Sequence, residues 1–137
     1  MMNEPLSSIM AEDLVTLNAD ASLDDVRRVF IKNKVHHIPI VDDNEQLVGI
    51  VSTYDLFKIE KHPSEFGSIC VGDVMTRGIA TLEPTDKIGA AAEVFLEHLF
   101  HAVPVVKDKK LLGIVTSHDI LRYEFKKEYP GHSFSAV

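Results

Sequence analysis

Short β-branched runs alternate along this chain with segments in which apolar residues recur every three or four positions. Val15-Thr16-Leu17 reads as a strand. Ser22, followed three residues later by Asp25, has the spacing of a capping box, in which a hydroxyl and a carboxylate satisfy each other's backbone N–H groups. It opens a helix with Val26, Val29 and Phe30 on one face, ending near Asn33. His37–Val41 and Leu47–Val51 are strands joined by the polar turn Asp42–Gln46. Pro39 cannot donate to a ladder, so it is expected near a strand start or on an edge. A second helix is predicted from Thr53 to about Lys61, with Leu56, Phe57 and Ile59 inward. The later half reads in the same order: a strand at Ile79–Leu82, a helix from about Asp86 to Leu99 capped by Thr85, strands at Ala102–Val106 and Leu111–Thr116, and a helix from Ser117 to about Lys127.

The order is βαββα twice, and the letters repeat with it. Ile9-Met10 answers to Val74-Met75, Val15-Thr16-Leu17 to Ala80-Thr81-Leu82, and Val29-Phe30 to Val94-Phe95. The offset is 65 positions before Gln46 (Met10 to Met75, Pro39 to Pro104) and 64 after it (Gly49 to Gly113, Asp55 to Asp119), as one deleted turn residue would give. An internal repeat of this length points to two supersecondary units sharing one core. The expected organisation is a single module over 1–137: a first motif at 6–61, a linker at 62–70, a second motif at 71–127 and a tail at 128–137, frayed from Pro130 on.

A chain of 137 residues is long enough for one core, burying roughly 65–70% of its unfolded surface, whereas either half alone is of marginal size. With 14 Lys+Arg against 21 Asp+Glu the formal charge is -7, and the basic residues are scattered, so nucleic acid is not an expected partner. No apolar run approaches the roughly 18–20 residues that span a bilayer, so neither is a membrane. A start without an apolar signal core and a lone Cys70 make a reducing cytoplasm the expected setting.

Two boxes carry chemistry: Ser52-x-x-Asp55 and Thr116-x-x-Asp119, each after Gly-Ile-Val where a strand hands over to a helix. A helix start offers unpaired N–H groups and partial positive charge to an anion. The hydroxyl can donate to a phosphate, and the ionised carboxylate can accept from both ribose hydroxyls. The plainer reading is that Ser52 and Thr116 are helix caps and the aspartates favour the first turn. Both stand at this level.

His36-His37-Ile38-Pro39-Ile40-Val41 with Gly49-Ile50-Val51-Ser52-x-x-Asp55, and His101-Ala102-Val103-Pro104-Val105-Val106 with Gly113-Ile114-Val115-Thr116-x-x-Asp119, resemble tandem cystathionine-β-synthase (CBS) motifs, the pair called a Bateman module. The resemblance covers about Leu6–Tyr123. It implies an α/β fold of two βαββα CBS motifs with pseudo-two-fold symmetry, packed through their sheets. It implies a stand-alone regulatory module, not an enzyme, with no required cofactor. Its regulatory ligand would be an adenosyl compound, an AMP-like nucleotide, adenosine or S-adenosylmethionine, held in clefts between the motifs. One cleft would combine Ser52 and Asp55 with Thr76, Ala80, Phe100, His101 and Ala102; the other, Thr116 and Asp119 with Ala11, Val15, Val35, His36 and His37. The alternative is a protein-interaction or dimerisation module whose nucleotide clefts are vestigial.

The departures from the family pattern matter. Tight phosphate binders often place Arg or Lys where this chain has His36, His37, His101 and Ala102. Histidines are mostly uncharged at neutral pH, so a monophosphate, adenosine or a sulfonium suits the clefts better than a triphosphate, and affinity for phosphate is expected to rise on acidification. His118 stands opposite Tyr54, which makes the clefts inequivalent. The histidines do not suggest a metal centre, because neighbours on a strand face opposite ways and Glu97-His98 cannot share a helix face. Ala90-Ala91-Ala92 would allow close helix approach, and the family implies a homodimer through helices, with a separate enzyme or transporter as the regulated partner.

Overall fold

The computed structural model describes residues 2–133. Its elements are α1 (Leu23–Asn33), β1 (His37–Val41), β2 (Leu47–Ser52), α2 (Thr53–Phe57), α3 (Ile88–His98), β3 (Ala102–Lys107), β4 (Lys110–Thr116) and α4 (Ser117–Glu128). The strands form two antiparallel hairpins, β1–β2 and β3–β4, each covered by helices of its own repeat. The hairpin tips meet: Leu47 N–H donates to Lys109 O (3.0 Å) and Leu111 N–H to Glu45 O (3.2 Å). The shortened turn lies here. Asp108 and Lys109 both have positive φ (51° and 68°), as a two-residue hairpin loop requires, whereas the longer first turn is braced by Asp42 Oδ1 accepting from the N–H groups of Asn44 and Gln46.

The expected first strand of each repeat shrinks to one parallel bridge, Leu17 with Ile40 and Leu82 with Val105. The prolines explain it. Leu17 N–H donates to Pro39 O and Val41 N–H to Leu17 O. The next rung of such a ladder would need Pro39 N–H to reach Val15 O, and proline has no N–H. Pro104 ends the second ladder in the same way, before Ala80. Pro39 and Pro104 therefore sit in mid-strand, but on strands that are edges of two-stranded sheets, the second of the two places expected for Pro39, and they leave Val15 and Ala80 outside the ladders.

Capping differs between the repeats. Ser22 and Asp25 form the expected box (3.1 and 3.0 Å), but α3 starts after Lys87, which makes no side-chain cap, and not after Thr85. Asp86 is held in a turn, its N–H on Glu83 O, and the first N–H groups of α3 go instead to carbonyls of the leading segment: Ile88 to Glu4 (2.9 Å) and Gly89 to Met2 (2.9 Å). Glu4 Oε1 also meets Lys127 Nζ at 3.0 Å, so the segment straps α3 to α4.

α2 is much shorter than expected. Beyond it the chain enters the 3-10 turn Pro63–Ser68, where Phe66 is buried in the first core with Arg27 over its ring. Leu56 and Ile59 pack on the core, but Phe57 is 87% exposed, contrary to its expected inward place. Of the expected tail, 134–137 lie outside the described residues. The rings of Tyr129 and His132 lie on Phe125, at 4.9 and 5.3 Å between centroids.

The lead of each repeat belongs to the other repeat's core. Leu6 is fully buried among Ile88, Phe95, Val103 and Ile120, while Val71 and Met75 complete the cluster of Leu23, Val26, Phe30 and Ile38. Ala11 pairs with Ile114, and Thr76 with Ile50. This exchange knits the two βαββα units into one body and brings their helix starts to a common cavity.

Candidate functional site

Each second hairpin strand ends on a hydroxyl that caps the helix behind it. Ser52 Oγ accepts from Asp55 N–H at 3.1 Å, and Asp55 Oδ2 accepts from Ser52 N–H at 2.8 Å. Thr116 and Asp119 repeat this at 3.1 and 2.9 Å. The capping role is thus present in both boxes. It leaves Oδ1 of each carboxylate, and each faces a cation: Lys58 Nζ at 3.6 Å from Asp55, Arg122 Nη1 at 3.5 Å from Asp119. One carboxylate oxygen still has two lone pairs, enough to accept from two hydroxyls, so capping and ligand binding are compatible.

These boxes line one cavity of about 1230 Å³ between the repeats. Typical small-molecule pockets run to about 300–1,000 Å³, so the space exceeds what one nucleoside needs. Residues of both expected clefts line it. Ile50, Ala102 and Ile114, with Leu14 and Ile79, make an apolar cluster where the hairpins meet, and the places of two of the family-implied residues follow from pairing: Thr76 is bonded to Ile50, two residues before Ser52, and Ala11 to Ile114, two before Thr116.

Of the first expected cleft, Ser52, Asp55, Thr76, Ala80, Phe100, His101 and Ala102 all lie on the wall. Of the second, Thr116, Asp119, Ala11, Val35, His36 and His37 do, and Val15 does not. Neighbours in an extended segment face opposite ways, and Leu14 takes the inward place that Val15 leaves. Backbone pairing sets His36 and His37 beside their own repeat's helix start: His37 pairs with Ser52, and His36 O accepts from Thr53 N–H at 3.0 Å. His101 O likewise accepts from Ser117 N–H at 3.1 Å.

The sequence reading missed Lys34, Leu99 and Arg122 on this wall. Two signals could have found them. Lys34 and Leu99 end α1 and α3 in the left-handed conformation (φ 53° and 55°) and stand 65 apart, directly ahead of the apolar-His pairs. Arg122 follows Asp119 by three, one helical turn on. Its repeat mate Lys58 is drawn over the Tyr54 ring, 4.8 Å from the centroid.

Four imidazoles line the cavity: His36, His37, His101 and His118. Burial holds His37 below the ordinary imidazole value, the positive charges of His101 and His36 push the same way, and Asp55 opposes them. Among the described residues no group of three or more His, Cys, Asp or Glu could hold a metal ion. No described helix is long and apolar enough to cross a membrane.

Similar proteins agree with this geometry. CBSX2 of Arabidopsis thaliana, solved in complex with AMP, superposes with a TM-score of 0.81 at 31% identity over 91% of this chain and 98% of that one. The CBS domain pair of protein MJ0100, solved with 5′-methylthioadenosine and S-adenosyl-L-methionine, gives 0.80 at 28%, again over 91% and 98%. A homoserine O-acetyltransferase of Methanohalobium evestigatum is 34% identical over 118 residues, 85% of this chain, and the chain spans 23% of that enzyme's length. The CBS domain pattern itself matches residues 6–62 and again 71–126. With the repeat, the exchanged leads and the paired helix starts accounted for by two such domains in tandem, this chain belongs to the CBS domain family and forms a CBS pair, or Bateman module.

Proposed function

We propose that this CBS pair is a regulatory module that binds an adenosyl compound, an AMP-like nucleotide, adenosine or S-adenosylmethionine, in the cavity between its repeats, and signals occupancy through helix packing. One observation carries the reading: two Ser/Thr-x-x-Asp boxes from different repeats lie on the wall of a single cavity beside an apolar cluster. The adenosyl class is supported by the AMP held by CBSX2 and the methylthioadenosine and S-adenosylmethionine held by the MJ0100 pair. The residues in named roles are those of the wall: Asp55 and Asp119 for ribose hydroxyls, the helix starts and Arg122 for phosphate, Val35, Ala80 and Phe100 for the base faces. A signal requires that the two helix arrangements differ in affinity for the ligand.

The test is a thermal-shift panel with AMP, ADP, ATP, adenosine, S-adenosylmethionine and NAD on wild type, Asp55→Asn and Asp119→Asn. The asparagine oxygen keeps the cap and removes the charge. A ligand at about 100 times its Kd adds about 2.7 kcal/mol, a rise of several degrees. A shift lost in one Asp variant supports the reading; no shift with any compound overturns it.

A second reading, a dimerisation or interaction module with vestigial clefts, is favoured by the apolar residues left on the helices: Ile31, Phe57, Leu96 and Leu121 are 73%, 87%, 81% and 66% exposed. A homodimer through these helices, docking on a separate enzyme or transporter in the cytoplasm, fits either reading. Light scattering with Leu96→Lys and Leu121→Lys tests the dimer.

A further inference from the structure

Just ahead of the proline the two repeats match at one histidine and differ at the next. His36 answers to His101, but His37 answers to Ala102. Ala102 sits in the apolar cluster with Ile50 and Ile114, 8% exposed. The first repeat thus puts a titratable ring where the second puts a methyl group, half-buried at the wall of the same cavity.

The charges on the cavity wall that His37 shares are unbalanced. From the end of α1 comes Lys34, from its own segment His36, from the loop before β3 His101, and from α4 His118 and Arg122. The carboxylates on this wall are Asp55 and Asp119, and each already faces a cation, Lys58 or Arg122. Burial, with the neighbouring imidazoles, favours the neutral ring at His37, and the one carboxylate that opposes them, Asp55, already faces Lys58.

Resting on the adenosyl reading of the cavity, we propose that His37, beside His101, selects the charge of the ligand: a phosphorylated adenosyl ligand enters together with a proton taken up by these imidazoles, whereas an uncharged one enters without. A phosphate monoester brings a charge of about −1.5 to −2 at pH 7, which supplies a counter-ion and raises the imidazole's proton affinity. A nucleoside brings none. A sulfonium repels the protonated ring, so acidification favours phosphate, leaves adenosine unchanged and disfavours S-adenosylmethionine. No bond is made or broken; the proton comes from solvent.

The test is calorimetry of AMP, adenosine and S-adenosylmethionine at pH 6.0, 6.5 and 7.5, in pairs of buffers that differ in ionisation enthalpy. The expected result is net proton uptake with AMP alone and an AMP affinity that rises on acidification by up to about tenfold per pH unit for one proton taken up. Because the phosphate itself titrates near 6, the protein variants decide. His37→Ala copies the residue that the other repeat already carries, so the fold accepts it in one place; it should cut the uptake and flatten the pH profile. His37→Arg should bind AMP more tightly at pH 7.5 with little pH dependence. Uptake unchanged in His37→Ala, or AMP bound without protons, overturns the inference while leaving the cavity reading intact. If none of the three ligands binds at any pH, both fall together.

Discussion

Met75 lies over Gly49 so closely that a Cβ there would stand 2.5 Å from its Sδ, and Met10 lies over Gly113 in the same way, at 2.8 Å. The glycine that opens each Gly-Ile-Val is where the lead of the opposite repeat crosses its hairpin. The two crossings are not equally adaptable. At Gly49 the nearest atoms all belong to the flexible Met75 side chain, whereas at Gly113 the Ala11 carbonyl, tied by the Ile114 N–H at 3.0 Å, also stands 2.9 Å away. Gly113→Ala is therefore expected to cost about 2–3 kcal/mol and Gly49→Ala about 1. Denaturant unfolding of both variants checks the order; equal costs would show that the backbone gives way.

Leu6 tests the exchange of leads from the other side. It is fully buried in the second core although it begins the first repeat. Leu6→Ala should destabilise by about 2–5 kcal/mol, and hydrogen exchange should show the loss first in α3 and β3, not in α1. Loosening centred on α1 would contradict the packing described.

Leu99 holds a left-handed conformation at the end of α3 with its side chain 81% exposed, so it bears strain without packing in return. The left-handed region costs an L-residue about 1–2 kcal/mol, and glycine gives back part of that gain as chain entropy. Leu99→Gly is expected to raise stability by about 0.5–1 kcal/mol in thermal unfolding. A fall instead would mean that Leu99 serves a contact at the cavity mouth.

His37 makes the empty protein sensitive to acid. Its folded value lies below the ordinary 6.5, so its contribution to stability is complete above 6.5 and is lost as pH falls through 6.5 towards the folded value, the unfolded chain taking the proton first. The midpoint temperature should drop over that window in wild type and drop less in His37→Ala. A saturating phosphate ligand should narrow the difference, because it gives the protonated ring a partner.

The missing cap on α3 offers a local check. Lys87 occupies the position of Ser22, and carbonyls of Met2 and Glu4 receive the helix's first N–H groups. Because the Ala90 N–H also already donates to Lys87 O at 2.9 Å, Lys87→Ser should change stability by less than about 0.5 kcal/mol in chemical denaturation; a larger gain would mean that the helix start is not satisfied by these carbonyls.

The chain's letters determined the doubled βαββα order, the hairpins, the capping boxes at Ser22, Ser52 and Thr116, and most of the cavity wall. These depend on local periodicity, turn chemistry and a 65-residue echo, all of which are written along the sequence. Tertiary structure decided what depends on partners distant in sequence. It shortened the first strands to single bridges where Pro39 and Pro104 withhold a donor, ended α2 early and buried Phe66 beyond it, and gave the α3 start to the leading segment in place of Thr85. It sent Leu6 and Met75 into opposite cores and brought residues of both expected clefts to one cavity wall. Repeat symmetry specifies each unit separately; where the units meet is fixed only by how their buried surfaces fit, and that fit has no local signature in the chain.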